Sequence, residues 1–360
     1  MVAKDERLHI SVPKAVTKHH HPDQGANSSP TPNPTFISSY PKPPPPSPRS
    51  QPPPALPSPS PTSLLSPVGS PTPKMLYFIG LGLADEKDIS VKALEIVKRA
   101  ERVYLEAYTA ILLVDQERLE SFYGRSIILA DREMVESSSH TILSGATDSD
   151  IAFLVVGDPF GATTHTDLQL RCREEGVPTR TLPNASILTG IGVTGLSLYN
   201  FGATLSMVFF TESWRPASFY PKLAANAGLG LHTLVLLDIK VKEPDLDLMA
   251  RTGRTVYLPP RYMTVAECAA QMVEVEEKEG QGVCGPDVLA VGVARVGSDE
   301  CKIVAGTLGE LCEQDLGPPL HSLVVVGKRG HDIEREFLRE YAVDPERFDR
   351  IWKEGYGQQG

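Results

Sequence analysis

Nine consecutive residues, Gly157-Asp158-Pro159-Phe160-Gly161-Ala162-Thr163-Thr164-His165, bring together a carboxylate, two hydroxyls, an imidazole and two glycines. They follow Ile151-Ala152-Phe153-Leu154-Val155-Val156, an apolar run of strand length that suits a strand covered on both faces. In open α/β sheets, ligands bind just beyond the carboxyl ends of the strands, where this loop falls. Pro159 stiffens the turn, while Gly161 and Ala162 let backbone approach a ligand closely. Thr163, Thr164 and His165 supply hydrogen-bonding groups. An ordinary strand-to-helix turn, with Asp158 capping backbone amides, fits the same residues equally well.

Two other stretches carry polar groups to strand ends. Met75-Leu76-Tyr77-Phe78-Ile79 reads as a strand, and Gly80-Leu81-Gly82-Leu83-Ala84-Asp85 as the loop after it. Ser90 then caps a helix with Val91, Leu94 and Val97 at helical spacing. The pattern approaches a dinucleotide fingerprint, but Asp85 replaces the third glycine, and an acid there opposes pyrophosphate. We expect a ligand-facing loop that does not hold phosphate. A second strand over Val103–Tyr108 places Glu106 and Thr109 near its carboxyl end, with Glu106 either a substrate contact or a rim charge.

These stretches need elements to position them, and the chain has room for two domains at roughly 150 residues each. Residues 1–74 are not one of them. They hold 20 of the 32 prolines, interleaved with serine and threonine, and we expect a disordered tail with local polyproline II character. His19-His20-His21 within it reads as a polar run rather than a metal site, which needs positioned ligands. From Met75 onward the pattern is globular. Helices are expected over 166–175, from a cap at Asn184 to Tyr199, over 216–227, from the Thr264/Glu267 capping box to about Glu279, and over 333–341. Strands are expected at 127–129, 205–210, 233–239, 288–296 and 320–326. The fold class is therefore α/β: two successive α/β units meeting near residues 183–203, with an N-terminal domain over 75–185, a C-terminal domain over 186–345, and a C-terminal tail over 346–360.

Composition narrows the partners. The tail carries a net charge of +4 and residues 75–360 a net of −14, which argues against nucleic acid as the main partner. No apolar run reaches the ~20 residues of a membrane span. Five cysteines at wide spacing, without a Cys-x-x-Cys pair, oppose a disulfide framework or a structural zinc site. Without a secretory leader the expected location is cytoplasmic. No metal-ligand spacing, Ser-His-Asp signature or Walker loop is present, and no metal is expected.

Taken in order, MLYFIGLGLADEKDISVKALE, YLEAYT, ADRE, FLVVGDPFGATTH, PNASI, LLDIKVKE, PPRYM, GVARVG, AGTL and PLHSLVVVG closely resemble the diphthine synthase family. That family lies within the tetrapyrrole-methylase-like class of S-adenosylmethionine-dependent methyltransferases. The resemblance covers residues 75–345, and its one departure is Ala84, where relatives often carry glycine. It implies two α/β domains with S-adenosyl-L-methionine held in the cleft between them, and a homodimer. The donor contacts it implies are Leu83, Asp158, Gly161, Ser186, Ile187, Leu237, Val296 and His321. The acceptor it implies is elongation factor 2 bearing a 3-amino-3-carboxypropyl-histidine, methylated on the amine three times and esterified on the carboxylate. Substrate-side candidates are Glu106, Thr164 and His165, with no indispensable general base, since water or a weak base such as His165 can take the amine's proton. Two other readings stay open on the residues: an NAD-linked oxidoreductase, from Gly80-x-Gly82, and a non-catalytic adaptor acting through the Pro-rich tail.

Overall fold

The structure is a computed structural model and describes residues 74–357. Residues 1–73 of the proline-rich tail, with the His19-His20-His21 run, lie outside the described residues. The first sheet consists of β1 (Leu76–Gly80), β2 (Arg102–Glu106), β3 (Ile128–Ala130), β4 (Ile151–Val155) and β5 (Thr179–Leu182), in the order β3-β2-β4-β1-β5. All four pairings are parallel. The alternation of side chains along β1 splits its residues between two cores. Tyr77 and Ile79 pack under α1 (Val91–Arg99) and α2 (Gln116–Tyr123), while Leu76 and Phe78 pack under α3 (His140–Leu143) and α4 (Thr166–Glu174). Both faces being covered is what makes the strand sequences read as unbroken apolar runs. Neighbouring strands β1 and β4 send their chains to opposite faces, so the loops after them open a crevice at their carboxyl ends.

The chain reaches the second sheet between Leu182 and Leu205. The connector is not the single helix expected from Asn184 to Tyr199. It contains α5 (Ile187–Gly190), a 3-10 turn at Ile191–Thr194 and another at Leu198–Asn200. Gly195 ends the first turn at φ +75°, and a Cβ there would lie 2.5 Å from the Phe337 ring, so close packing takes precedence over helix continuation. The cap is Ser186, whose Oγ accepts from Leu188 N at 3.0 Å. Asn184 instead staples the first sheet's loops, its Nδ2 donating to the carbonyls of Gly80 and Asp88 at 3.0 Å each.

The second sheet is mixed, in the order β11-β10-β12-β7-β6. Its strands are β6 (Leu205–Met207), β7 (Thr233–Leu237), β10 (Leu289–Ala294), β11 (Lys302–Thr307) and β12 (His321–Val325). A small hairpin of β8 (Ile239–Lys240) and β9 (Arg261–Tyr262) stands apart from it and spans α7 (Leu246–Thr252). One face is covered by α6 (Tyr220–Gly228), α8 (Val265–Glu279) and α9 (Leu308–Leu311). The expected capping box is present at the head of α8: Thr264 Oγ1 accepts from Glu267 N at 3.1 Å, and Glu267 Oε2 from Thr264 N at 2.9 Å.

The other face corrects the expected C-terminal tail. After α10 (Asp332–Arg339), residues Pro345–Gly355 form α11, which buries Phe348 and Trp352 against the sheet. Asp344 caps it, accepting from Glu346 and Arg347 amides at 3.0 and 2.9 Å, with Pro345 at its first position. Tyr356 just beyond it accepts a hydrogen bond from Leu289 N at 3.0 Å through its hydroxyl. The segment is part of the core because without it Val291, Val293 and Val324 would face solvent. The edge strand β11 and the short strand β5 also escaped the sequence pattern; β5 reads Thr-Arg-Thr-Leu, with only Leu182 fully buried.

A cleft between two sheets as the candidate active site

A cleft of about 880 Å³, measured to its open mouth, lies between the strand ends of the two sheets. The first sheet contributes Leu83 from the loop after β1, Thr109, Ala110, Ile111 and Leu113 from the loop after β2, and Val156, Gly157, Gly161, Ala162 and Thr163 from the loop after β4. The connector adds Ser186 and Ile187. The second sheet contributes Leu236 and Leu237 at the end of β7, Ile239, Val293, Arg295 and Val296 around the end of β10, and Leu320, His321 and Ser322 at the start of β12. Antiparallel pairing brings these ends together, because β10 runs opposite to β12 with Ala294 beside His321.

Seven of the eight residues singled out as donor contacts line this cleft: Leu83, Gly161, Ser186, Ile187, Leu237, Val296 and His321. Asp158 does not. Its Oδ1 accepts from Phe160 N at 2.9 Å and its Oδ2 from Asn184 N at 3.1 Å. The carboxylate thus folds the turn and ties it to the connector. Gly161 is required by space as well, since a Cβ there would lie 2.8 Å from Ser186 Oγ.

The substrate-side candidates sit differently. Glu106 is buried, and its carboxylate accepts from Tyr108 N at 2.8 Å, Thr109 N at 2.5 Å and Thr109 Oγ1 at 2.7 Å. It is neither a rim charge nor a lining group; it shapes the loop that carries Thr109 to Ile111 into the cleft. His165 is also buried, with Nδ1 donating to the Pro159 carbonyl at 3.0 Å and Nε2 lacking a partner. Burial holds its pKa below the ordinary imidazole value, although the Glu106 charge and the Pro159 bond oppose this. Its ring meets Phe153 edge-on, at a centroid distance of 5.3 Å. Thr164 is exposed outside the cleft, between the lining residue Thr163 and buried His165.

The lining is almost free of charge. Arg295 is its one charged residue, and its guanidinium is already used: Nε donates to the Glu300 carbonyl at 3.1 Å and Nη1 to the Leu316 carbonyl at 2.9 Å. His321 is used at both nitrogens, Nδ1 accepting from Val265 N at 3.3 Å and Nε2 facing the Gly317 and Pro318 carbonyls at 3.0 Å. That arrangement fixes the neutral form with hydrogen on Nε2, and burial lowers its pKa. His321 and Arg295 therefore hold the 316–320 loop in place around the cleft.

Arg295 had no signal in the sequence, and neither did the backbone conformation of Ala162. Among the described residues, Ala162 at φ +65° and Arg295 at φ +51° are the non-glycine residues with left-handed backbone, and both line the cleft. Such conformations are uncommon outside glycine and gather at functional sites. Residue identity does not encode them.

The loop after β1 settles the phosphate question. Asp88 Oδ2 accepts from the amides of Leu83 and Ala84 at 3.2 and 2.8 Å. A carboxylate already occupies the two donors that a pyrophosphate would need, so the loop is not a dinucleotide cradle. Among the described residues no three or more His, Cys, Asp or Glu are grouped to hold a metal ion.

Comparison with known proteins gives the same direction. Residues 75–312 match the tetrapyrrole (corrin/porphyrin) methylases. A diphthine methyl ester synthase from Aspergillus fumigatus is 65% identical over 283 residues, covering 79% of this chain and 99% of that protein. One from Saccharomyces cerevisiae is 55% identical over 277 residues, covering 77% of this chain and 92% of that protein. A crystal structure of diphthine synthase superposes with a TM-score of 0.65 at 35% identity, covering 77% of this chain and 99% of the other. The family match begins where the globular pattern begins and the relatives are covered almost end to end, so the chain belongs to the tetrapyrrole methylase family, among its diphthine methyl ester synthases.

Proposed function

We propose that this methyltransferase uses S-adenosyl-L-methionine to methylate the 3-amino-3-carboxypropyl-histidine of elongation factor 2. Three methyl groups go to the amine and one to the carboxylate, giving the diphthine methyl ester of diphthamide biosynthesis. The observation that carries the reading is the cleft between the two sheets, enclosed by backbone and small or apolar side chains and almost without charge. Leu83, Gly161, Ile187, Leu237 and Val296 offer surface for an uncharged purine and ribose, and the glycine lets backbone approach. Bound there, the donor supplies an electrophilic methyl on sulfur.

The chain's own part is to align and to exclude water. Ser186 caps α5 and fixes Ile187 against the cleft, and Asp158 and Glu106 fix the two loops of the first sheet. No lining side chain among the described residues is free to act as a base. Arg295 spends its guanidinium on backbone carbonyls, and His321 spends both nitrogens on backbone. The acceptor amine therefore loses its proton to water before attack, and Glu106, Thr164 and His165 act through loop shape rather than proton transfer.

Homodimerisation fits the exposed apolar side chains of Leu188, Val193, Leu198 and Tyr199 on the connector. An acidic body and a helix set without a membrane-length apolar span, among the described residues, fit a cytoplasmic protein enzyme rather than a nucleic-acid binder. We take 75–185 and 186–345 as its two domains. Calorimetric titration of residues 75–360 with S-adenosylmethionine in the presence of chelator should give saturable heat. Intact-mass analysis of precursor elongation factor 2 after reaction should then show added methyl groups. No heat from a folded sample would refute the donor assignment and the metal-free reading together.

A further inference from the structure

Two kinds of contact join the two sheets' sides of the chain. Leu83 packs against two glycines from beyond residue 185. A Cβ on Gly190 would lie 2.8 Å from Leu83 Cδ1, and one on Gly297 would lie 3.2 Å from Leu83 Cβ. This contact is apolar and close-packed. Away from Leu83 in the sequence, Lys242 Nζ bonds Asp131 Oδ2 at 2.6 Å. Among the described residues it is the one side-chain hydrogen bond or ion pair joining residues 74–185 to 186–357.

Both partners are tied to segments that line the cleft. Asp131 follows β3, and the Ala130 carbonyl accepts from Ala107 N at 3.1 Å, two residues before lining residue Thr109. The other carboxylate oxygen of Asp131 accepts from Met134 N at 2.9 Å, which fixes its direction. Lys242 lies three residues beyond lining residue Ile239, and its ammonium sits 5.1 Å from the Tyr257 ring centre. The bond from Lys242 holds the Asp131 carboxyl below its ordinary range. The pair thus ties together two segments that run into the cleft lining, one from each sheet's side.

We infer that Lys242 and Asp131 are positioning residues for methyl transfer: their ion pair ties a segment of the first sheet's side to one of the second and so retards escape of the bound donor. The inference rests on the reading of this cleft as the donor site. Neither residue lines the cleft; both act by holding together the segments that carry Thr109 and Ile239 into it. An ion pair this accessible is screened by salt and contributes modestly.

The test uses the full chain and S-adenosylmethionine, with dissociation followed by stopped flow. Asp131→Asn and Lys242→Gln should each speed donor dissociation by about two- to fivefold. The charge-reversed pair, Asp131→Lys with Lys242→Asp, should bring the rate back toward that of the unaltered protein. Added salt should speed release from the unaltered protein more than from either single variant. Unchanged rates in both single variants would overturn the inference, as would a charge-reversed pair no slower than the singles. Absence of donor binding by the unaltered protein would overturn the donor-site reading itself, an outcome distinct from unchanged rates.

Discussion

Asp158→Asn distinguishes a carboxylate that builds the site from one that touches the donor. In the structure both oxygens are engaged by amides, from Phe160 at 2.9 Å and from Asn184 at 3.1 Å. Asparagine keeps the shape but presents an amino group to one of those amides, so one bond becomes donor facing donor. Losing a hydrogen bond to a charged group costs about 1.5–3 kcal/mol, and the half-buried position suggests ~2 kcal/mol. For a folded body of this size, that lowers Tm by roughly 4–8 °C. Asn184 also bonds the carbonyls of Gly80 and Asp88, so the loosened joint reaches both loops of the first sheet. Donor affinity should fall with it, by about three- to tenfold. Scanning calorimetry and isothermal titration with S-adenosylmethionine read the two effects separately. A Tm unchanged within ~1 °C together with a hundredfold loss of affinity would refute this reasoning and make Asp158 a direct contact.

Two further outcomes follow from the same geometry. Gly190→Ala should push Leu83 into the cleft, since the new Cβ would lie 2.8 Å from Leu83 Cδ1 and 3.1 Å from Val296 Cγ1. Donor affinity should drop at least about tenfold while circular dichroism stays unchanged; equal affinity would show that Leu83 yields elsewhere. His165 and His321 both have pKa values held below the ordinary 6.5 by burial. As pH falls below about 6.5, the unfolded chain takes up protons that the folded state refuses, so stability declines until the folded pKa is reached, by up to about 1.4 kcal/mol per pH unit per histidine. Urea unfolding at pH 7.5 and 5.5 should show this decline, and a variant with His165→Gln and His321→Asn should show less of it; an equal decline in that variant would contradict the assignment.

Sequence pattern alone located the parts whose cause is local. The apolar runs of β1, β4, β7, β10 and β12 announce buried strands because burial on both faces removes polar alternation. The Ser90 and Thr264 caps announce helices because the bond that stabilises each helix start lies within four residues. The donor-site residues came from family resemblance rather than periodicity, and the cleft gathers seven of the eight.

What the tertiary structure decided are matters of partner and direction. Whether Asp158 and Glu106 face a ligand or their own backbone depends on amides brought close by folding, and both carboxylates turn inward. The connector at 184–200 breaks at Gly195 because the Phe337 ring, distant in sequence, packs there. The segment after residue 345 reads as polar by composition, yet Phe348 and Trp352 on one face of α11 close the core of the second sheet. Left-handed backbone at Ala162 and Arg295, and the Lys242–Asp131 contact, arise only when loops from different elements converge. Residue types limit which interactions are possible; distance and burial, fixed by the fold, select among them.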